Sequence, residues 1–199
     1  LQIFGKGDEE FLIRTSKDPN KDISTPAAQS LANVEATPAV LDRLREIWTK
    51  DSNPRLRTMA VRTIANATKD DTLADEAWKI STTDQGLRLF ALDWWASHNK
   101  NRARIACLNQ LKYPSNETLR VAAIRHLTAL KDAEGSREVY NALLAIVGEN
   151  SFAARAAAIN ALDAYGDPAA IPEIEKLKDH SLFMIRRTAQ SALDTLKKK

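Results

Sequence analysis

The sequence has few of the residues that cross-link or sharply turn a chain. Its 199 residues include one cysteine, six glycines and seven prolines. A lone cysteine forms no disulfide within the chain, and so few glycines and prolines do not suffice for a β-sandwich built from many tight turns. No apolar run approaches the roughly 20 residues that span a bilayer. These absences leave a helical globular or repeat protein as the leading class.

Long blocks of one charge are also missing. The chain carries 29 Lys and Arg against 26 Asp and Glu, which gives a net charge of +3. The three lysines at 197–199 end a helical pattern, where cations complement the helix dipole, and are a poor nucleic-acid tail. Alanine occurs 31 times and valine six times. Because alanine is the best helix former and valine favours strands, we expect an all-α protein.

One motif recurs along the whole chain. An apolar residue and an arginine are followed after two residues by an alanine, and after three more by a large apolar residue. The arginines of the five copies, here called the arginine ladder, lie 31, 32, 35 and 31 residues apart and are Arg57, Arg88, Arg120, Arg155 and Arg186. A degenerate sixth copy precedes them, with Ser24 in the arginine position followed by Ala27 and Leu31.

Each period has room for two helices. The apolar positions of the motif fall at i, i+4 and i+8, on one stripe of a helix, and a second amphipathic segment lies upstream of each copy. Hairpins of this kind bury a shared core when they stack. The sequence therefore predicts an all-α, right-handed α-solenoid of about six hairpins in a single domain over 9–199, with 1–8 as a stub of a preceding domain or an added end. The predicted repeats are 9–35, 37–69, 71–100, 102–132, 135–166 and 168–199.

The segment Gly166–Pro172, followed by Ile185, Arg186 and Ala189, resembles the short HEAT-like repeats of the phycobilisome-lyase type. The resemblance covers nearly the whole chain from residue 9. It implies a curved stack of hairpins, in a family that serves scaffolding, partner docking, nucleic-acid binding and accessory roles in enzymes. In a narrower resemblance, Ser151–Ala158 is similar to the C-terminal helical domain of gluzincin zinc aminopeptidases, which implies an accessory domain packed on a catalytic domain. The His-Glu-x-x-His helix of that family is not in this sequence.

The sequence contains no recognisable catalytic or metal-binding motif. The histidines His98, His126 and His180 have no second ligand at the spacing of a helical metal site. We expect His98 to be partly buried on an apolar stripe, and Cys107 to be a core thiol. Asp93 beside Trp94 and Trp95 is similar to the cleft of HEAT-like DNA glycosylases. The repeat pattern instead assigns Trp95 to the core and Trp94 to a contact with the next repeat. We therefore expect no catalysis and no cofactor in this chain, although its parent protein could be a metallopeptidase.

The arginine ladder has two interpretations. A guanidinium that reaches a carboxylate or a loop carbonyl in a neighbouring repeat would tie the stack together, and we favour this over a ligand-binding stripe. In each repeat a polar residue lies four to seven positions before the arginine, where an arginine of a neighbouring repeat could donate a hydrogen bond. These residues are Asp51, Asp84, Asn116, Asn150 and Asp179.

Binding capacity is expected on the face of the second helices opposite their apolar stripe. The predicted centre of this surface comprises Arg62, Asn66, Asp93 and Arg125, with Trp94 and His126 at its edge. An ordinary solvated surface is the alternative.

We expect a non-catalytic protein-interaction scaffold, the C-terminal helical domain of a larger protein, which binds a protein or a preceding domain. The alternatives are an aminopeptidase accessory domain and a nucleic-acid groove. The nucleic-acid groove is disfavoured because the expected binding surface on the second helices mixes amides, cations and anions. Residue 1 is leucine, so a processed or cut start is expected and the compartment stays open.

Overall fold

The computed structural model describes residues 8–80, 84–113, 116–131 and 136–198, and within these ranges every regular element is helical. The predicted stub at 1–8 lies outside the described residues except for Asp8, and Lys199 of the lysine tail lies outside them too. Short 3₁₀ turns occupy Leu31–Asn33 and Pro168–Ala170. The α-helices of the described ranges are α1 (Asp8–Thr15), α2 (Lys21–Ser30), α3 (Pro38–Lys50), α4 (Pro54–Thr68), α5 (Thr72–Ile80), α6 (Gln85–His98), α7 (Lys100–Leu111), α8 (Glu117–Ala129), α9 (Ser136–Val147), α10 (Phe152–Tyr165), α11 (Ile171–Glu175) and α12 (Phe183–Leu196).

The chain divides into two compact units, Leu1–Trp94 and Trp95–Lys199. In the first unit α1 packs on α2 and α3 packs on α4, while α1 also contacts α3 and α2 contacts α4. In the second unit α7 pairs with α8, α9 with α10 and α11 with α12. There the first helices α7, α9 and α11 contact one another in sequence, and so do the second helices α8, α10 and α12. Each unit is therefore built from hairpins whose equivalent helices pack in layers.

Side-chain caps fix where many of the helices begin. The Asn53 side chain accepts from the backbone N–H of Arg55, and Pro54 occupies the first turn of α4. Thr37 with Pro38 starts α3 in the same way. An asparagine or serine that caps a helix satisfies one of its free N–H groups, and proline there loses no hydrogen bond. The starts of α3 and α4 are thus set locally, each by a polar residue followed by a proline.

The start of the last hairpin follows its sequence signals closely. Gly166 ends α10 in the left-handed conformation with φ 72°. The Asp167 side chain then accepts from the N–H of Ala169 and caps the 3₁₀ turn that begins at Pro168. Pro172 lies in the first turn of α11, which is only five residues long and follows the 3₁₀ turn. Pro172 has no N–H to donate to the carbonyl of Pro168, four positions earlier, so the 3₁₀ turn and α11 do not form one continuous α-helix.

The alanines of the repeat motif lie at the centre of the packing. Ala60, Ala91, Ala123, Ala158 and Ala189 each have 0% of their surface exposed. The degenerate first copy departs from this pattern because its Ile23 is 45% exposed. The buried face of α2 runs through Ser24, Ala27 and Ala28 instead, which turns Ile23 toward solvent.

Candidate interaction surface

The most deeply buried ladder arginine is Arg120, whose side chain is 2% exposed. Its guanidinium donates to the Glu149 carboxylate over 2.7 Å. Asn116, four positions earlier, caps α8 by accepting from the N–H of Leu119. The asparagine stands at the helix start, where the free backbone N–H groups engage its side chain.

Two further ladder arginines in the second unit bind loop backbone. Arg155 donates to the carbonyl of Glu149, and its other nitrogen lies 2.6 Å from His180 Nε2. Arg186 donates to the carbonyls of His180 and Ser181 over 2.6 and 2.9 Å. Neither Asn150 nor Asp179 accepts from a ladder arginine among the described residues, because the arginines reach carbonyls of the same loops first.

In the first unit the ladder uses different partners at successive positions. Arg57 donates to the carbonyl of Trp48 over 2.9 Å and lies 3.7 Å from the Asp84 carboxylate. Arg88 lies over the Trp78 ring at 4.5 Å from its centroid, a cation–π contact between α6 and α5. Asp84 belongs to the repeat that follows Arg57, whereas Asp51 accepts from the N–H of Asn53 in the loop that leads into the α4 cap.

The polar surface expected on the second helices contains an ion pair in the first unit. Arg62 on α4 and Asp93 on α6 are 3.0 Å apart, and their side chains are 47% and 43% exposed. The Arg62 guanidinium also lies 5.7 Å from the centroid of the buried Phe90 ring. Asn66, one turn further along α4, is exposed. The structure thus brings Arg62 and Asp93 together on one accessible face, with Asn66 on the same helix.

Trp94 and His98 do not lie where the sequence placed them. Trp94 is 5% exposed, and its Nε1 donates to the Asp71 carboxylate over 2.8 Å. Trp94 is therefore a buried contact of α6 with the start of its own hairpin, and not the edge of a binding surface. His98 was expected to be partly buried but is exposed. It is the last residue of α6, where the apolar stripe has ended.

The second unit carries the remaining residues of the expected surface. Arg125 on α8 is exposed, and His126 beside it is half-buried. At the start of α8, the Glu117 carboxylate accepts from the Ser151 hydroxyl and from the N–H of Ala153. These bonds favour the ionised carboxylate and lower the pKa of Glu117 below its ordinary value. The same bonds tie α8 to the beginning of α10.

The described residues also bear on the catalytic and metal-site expectations. Cys107 is fully buried and Trp95 is 3% exposed, so both belong to the core. Across residues 8–80, 84–113, 116–131 and 136–198, no three His, Cys, Asp or Glu side chains are grouped to hold a metal ion. No helix in these ranges is both long and apolar enough to cross a membrane.

Several residues that shape the site were missed by sequence reasoning. Arg43 on α3 donates to the hydroxyl and the carbonyl of Ser16 over 2.8 and 2.7 Å. Glu149, the partner of Arg120, was not singled out either, and His180, which lies beside Arg155, was considered only as a metal ligand. The spacing of the ladder identifies the arginines that donate hydrogen bonds. Which loop atom accepts from each arginine depends on the conformation of the loop.

Comparison with known proteins identifies the fold. Residues 105–194 match the family model of HEAT repeats. A search of curated proteins finds no match. The predicted resemblance to HEAT-like repeats is therefore confirmed over that segment, whereas the aminopeptidase likeness is not shown.

Solved structures of repeat proteins align with nearly the whole chain. A designed armadillo repeat protein, YIII(Dq.V1)4CPAF in complex with the peptide (KR)4, is 13% identical with a TM-score of 0.57, and the match covers 96% of this chain and 100% of that one. A second designed armadillo repeat protein, YIII(Dq)4CqI, is 15% identical with a TM-score of 0.50, covering 94% and 99%. Human deoxyhypusine hydroxylase in complex with glycerol is 15% identical with a TM-score of 0.52, covering 96% and 74%. At these identities the likeness concerns the fold alone, and it confirms the predicted class of α-solenoid.

Proposed function

We propose that this array of HEAT-like repeats is a non-catalytic protein-interaction scaffold, and that in its first unit the partner binds the exposed face around Arg62, Asn66 and Asp93. Repeat proteins of this architecture expose rows of second-helix side chains that a partner can contact. One of the similar structures holds a peptide, which supports a protein partner.

The Arg62–Asp93 pair is the observation that carries this proposal. Both side chains are close to half exposed, and an exposed pair of this kind contributes only about 0–1 kcal/mol to stability. The guanidinium stands over an aromatic ring, which holds it in place at little further entropic cost on binding. The surface therefore presents a preorganised donor next to a preorganised acceptor.

The experiment exchanges the two charges. In the double variant Arg62→Asp with Asp93→Arg, the ion pair is retained while the polarity offered to a partner is reversed. A protein recovered by the unchanged chain, and identified by mass spectrometry, should then bind the exchanged chain at least tenfold more weakly in a direct titration. Circular dichroism should give the same melting temperature for both chains.

The matched control exchanges Asp42 and Arg45, an exposed pair 2.9 Å apart on α3. This double variant should bind the partner as the unchanged chain does. The proposed surface would be contradicted if the Arg62/Asp93 exchange bound the partner as tightly as the unchanged chain does. It would also be contradicted if the control exchange lost as much affinity as the Arg62/Asp93 exchange.

The narrower expectations gain no specific support. The zinc aminopeptidase accessory domain rested on the segment Ser151–Ala158, and nothing in the described contacts of that segment points to a catalytic partner domain. A nucleic-acid groove needs several unpaired cations in a row, whereas Arg62 is already paired with Asp93. The deoxyhypusine hydroxylase match shares 15% identity, so it transfers no activity.

A further inference from the structure

The last second helix, α12, begins without the polar cap that starts the other second helices. In each earlier copy of the motif, the residue four positions before the arginine, or before Ser24, accepts a hydrogen bond from a backbone N–H of the first turn. These caps are Asn20, Asn53, Asp84, Asn116 and Ser151. In α12 the same position is Leu182, and no side chain caps the helix. Because leucine is a poor residue for a helix start, α12 is less stable there than its sequence position allows.

Leu182 begins a run of three exposed apolar side chains. Leu182, Phe183 and Met184 are 48%, 62% and 51% exposed. Phe152, 45% exposed, occupies in α10 the position of Phe183 in α12, three residues before the motif arginine. Because α10 packs on α12 and packed helices lie about 8–10 Å apart, these residues border one surface, here called the apolar edge. The apolar edge comprises Phe152, Leu182, Phe183 and Met184. Contiguous exposed apolar side chains of this kind mark interaction sites.

Hydrogen bonds hold the apolar edge in place on the α12 side. Arg186 donates to the carbonyls of His180 and Ser181 over 2.6 and 2.9 Å, and its guanidinium lies 5.8 Å from the centroid of the Phe183 ring. The N–H of Leu182 donates to His180 Nδ1 over 3.1 Å. The loop before α12 is therefore tied to the helix, so a partner that binds here has little loop ordering to overcome.

The charges beside the apolar edge are mostly positive. Residues 180–187 contain Arg186 and Arg187 and no carboxylate, and the stretch 152–161 of α10 contains Arg155 and no carboxylate. Arg187 is exposed one turn after Phe183, on the same face of α12, and no carboxylate pairs with it among the described residues. The Glu117 carboxylate on α8 is already bound by donors at the start of α10. Electrostatic complementarity therefore favours an acidic partner over a basic one.

From these observations we infer that the apolar edge binds an acidic, amphipathic segment of a partner protein. Its large apolar side chains pack on Phe152, Phe183 and Met184, and its carboxylates face Arg187. Aromatic residues, methionine and arginine are the side chains that protein interfaces are enriched in. The inference rests on the proposed scaffold function for the existence of a partner. It concerns a second surface, in the second unit, and is tested without that partner.

The first experiment titrates the full chain with the peptide acetyl-ELLEELFEEL-amide, followed by the shifts of backbone amide signals in NMR spectra. We expect saturable shifts at Ala153, Phe183 and Met184 with a dissociation constant of about 1 mM or tighter. Two control peptides remove one property each: acetyl-KLLKKLFKKL-amide reverses the charge, and acetyl-ESSEESSEES-amide replaces the apolar side chains. Each should bind at least tenfold more weakly. Equal binding of either control peptide would overturn the inference.

Other occupants of the apolar edge give different results. Vesicles of phosphatidylcholine and phosphatidylserine should leave the same amide signals unchanged, and sedimentation velocity should show no self-association that Phe183→Ser abolishes. Loss of those signals on addition of vesicles would identify a membrane surface as the occupant. Self-association that is lost in Phe183→Ser would identify a second copy of the chain. Either result would overturn the inference.

The second experiment alters the apolar edge itself. The double variant Phe183→Ser with Met184→Ser should weaken the acidic peptide at least tenfold and leave the melting temperature almost unchanged, because both side chains are exposed. Leu182→Asn restores the cap, so it should raise the melting temperature while weakening the peptide. Undiminished binding to the folded double variant, or a Leu182→Asn chain that binds as tightly as the parent, would refute the site.

The matched control is Ile105→Ser, which removes an apolar side chain that is 50% exposed on α7 of the same unit. This variant should bind the acidic peptide as the unchanged chain does, and an equal loss of affinity would refute the assignment to the apolar edge. The exchange of Arg62 and Asp93 should also leave peptide binding unchanged. Failure of the apolar edge therefore leaves the proposed function standing, since that exchange tests a different surface.

Discussion

At the scale of single residues, the ladder arginines are structural donors that differ in how deeply they lie. Arg120 is 2% exposed and bound to Glu149, whereas Arg57 is 23% exposed. A buried guanidinium is costly to desolvate and is stabilising only when its hydrogen bonds are made. The depth of each arginine therefore sets how much its removal should cost.

Replacing Arg120 with alanine should lower the free energy of unfolding by about 2–4 kcal/mol, because a buried side chain and its hydrogen bond to Glu149 are lost together. Chemical denaturation would measure the loss. The exposed neighbour Arg125 on the same helix gives the control, and Arg125→Ala should change stability by less than about 0.5 kcal/mol. Equal thermal midpoints for Arg120→Ala and the parent would contradict a structural role.

Glu117 gives a prediction about pH. Its pKa in the folded chain is lowered by the hydrogen bond from Ser151 and then by the N–H of Ala153. The stabilisation is therefore complete above the ordinary pKa of glutamate and is lost as the pH falls through the lower pKa of the folded state. Glu117→Gln should lower the melting temperature at pH 7, and the difference from the parent should disappear in acid.

The control for this pH effect is Glu10→Gln, because Glu10 is likewise an exposed residue in the first turn of a helix but, unlike Glu117, accepts no hydrogen bond among the described residues. Replacing Glu10 with glutamine removes only the interaction of its charge with the helix dipole. A difference at Glu117 that persists unchanged at low pH would show that the carboxylate charge is not responsible.

At the scale of elements, the start of α6 is closely packed against α4. A Cβ added to Gly86 would lie 2.4 Å from the Thr58 hydroxyl oxygen. Gly86→Ala should therefore destabilise the chain by about 1–3 kcal/mol. In a Thr58→Ala background the same change should be neutral or stabilising, because the obstacle is gone and alanine favours a helix. A double-mutant cycle of unfolding free energies measures this, and equal effects in both backgrounds would rule out the contact.

Helix positions were predicted well from the sequence and surface positions less well. Caps and prolines such as Asn53–Pro54 and Asp167–Pro168 act locally, so their effect can be read from neighbouring residues. The exposure of Ile23 and the burial of Trp94 depend on which neighbouring helix covers them. The repeat motif does not specify which neighbouring helix packs against these side chains.

At the scale of the whole molecule, repeat arrays are stabilised mainly between neighbours, and weakly covered hairpins open first. In α1 only Leu12 is buried, while α4 buries Leu56, Ala60, Val61, Ile64 and Ala65. Hydrogen exchange followed by mass spectrometry should show the amides of α1 exchanging at least tenfold faster than those of α4. Uniform protection across the first unit would mean that it opens only as a single cooperative body.

The sequence by itself determined the helical class, the period and the donors of the arginine ladder, because periodicity and capping act over distances of a few residues. Tertiary structure alone decided the acceptors, such as Glu149 for Arg120 and the carbonyl of Trp48 for Arg57. It also decided that the serine at position 24 borders a cavity. Hydrogen bonds are made over about 3 Å, and residues that lie 9 positions apart, as Arg57 and Trp48, or 29 apart, as Arg120 and Glu149, reach that distance only after the helices have packed.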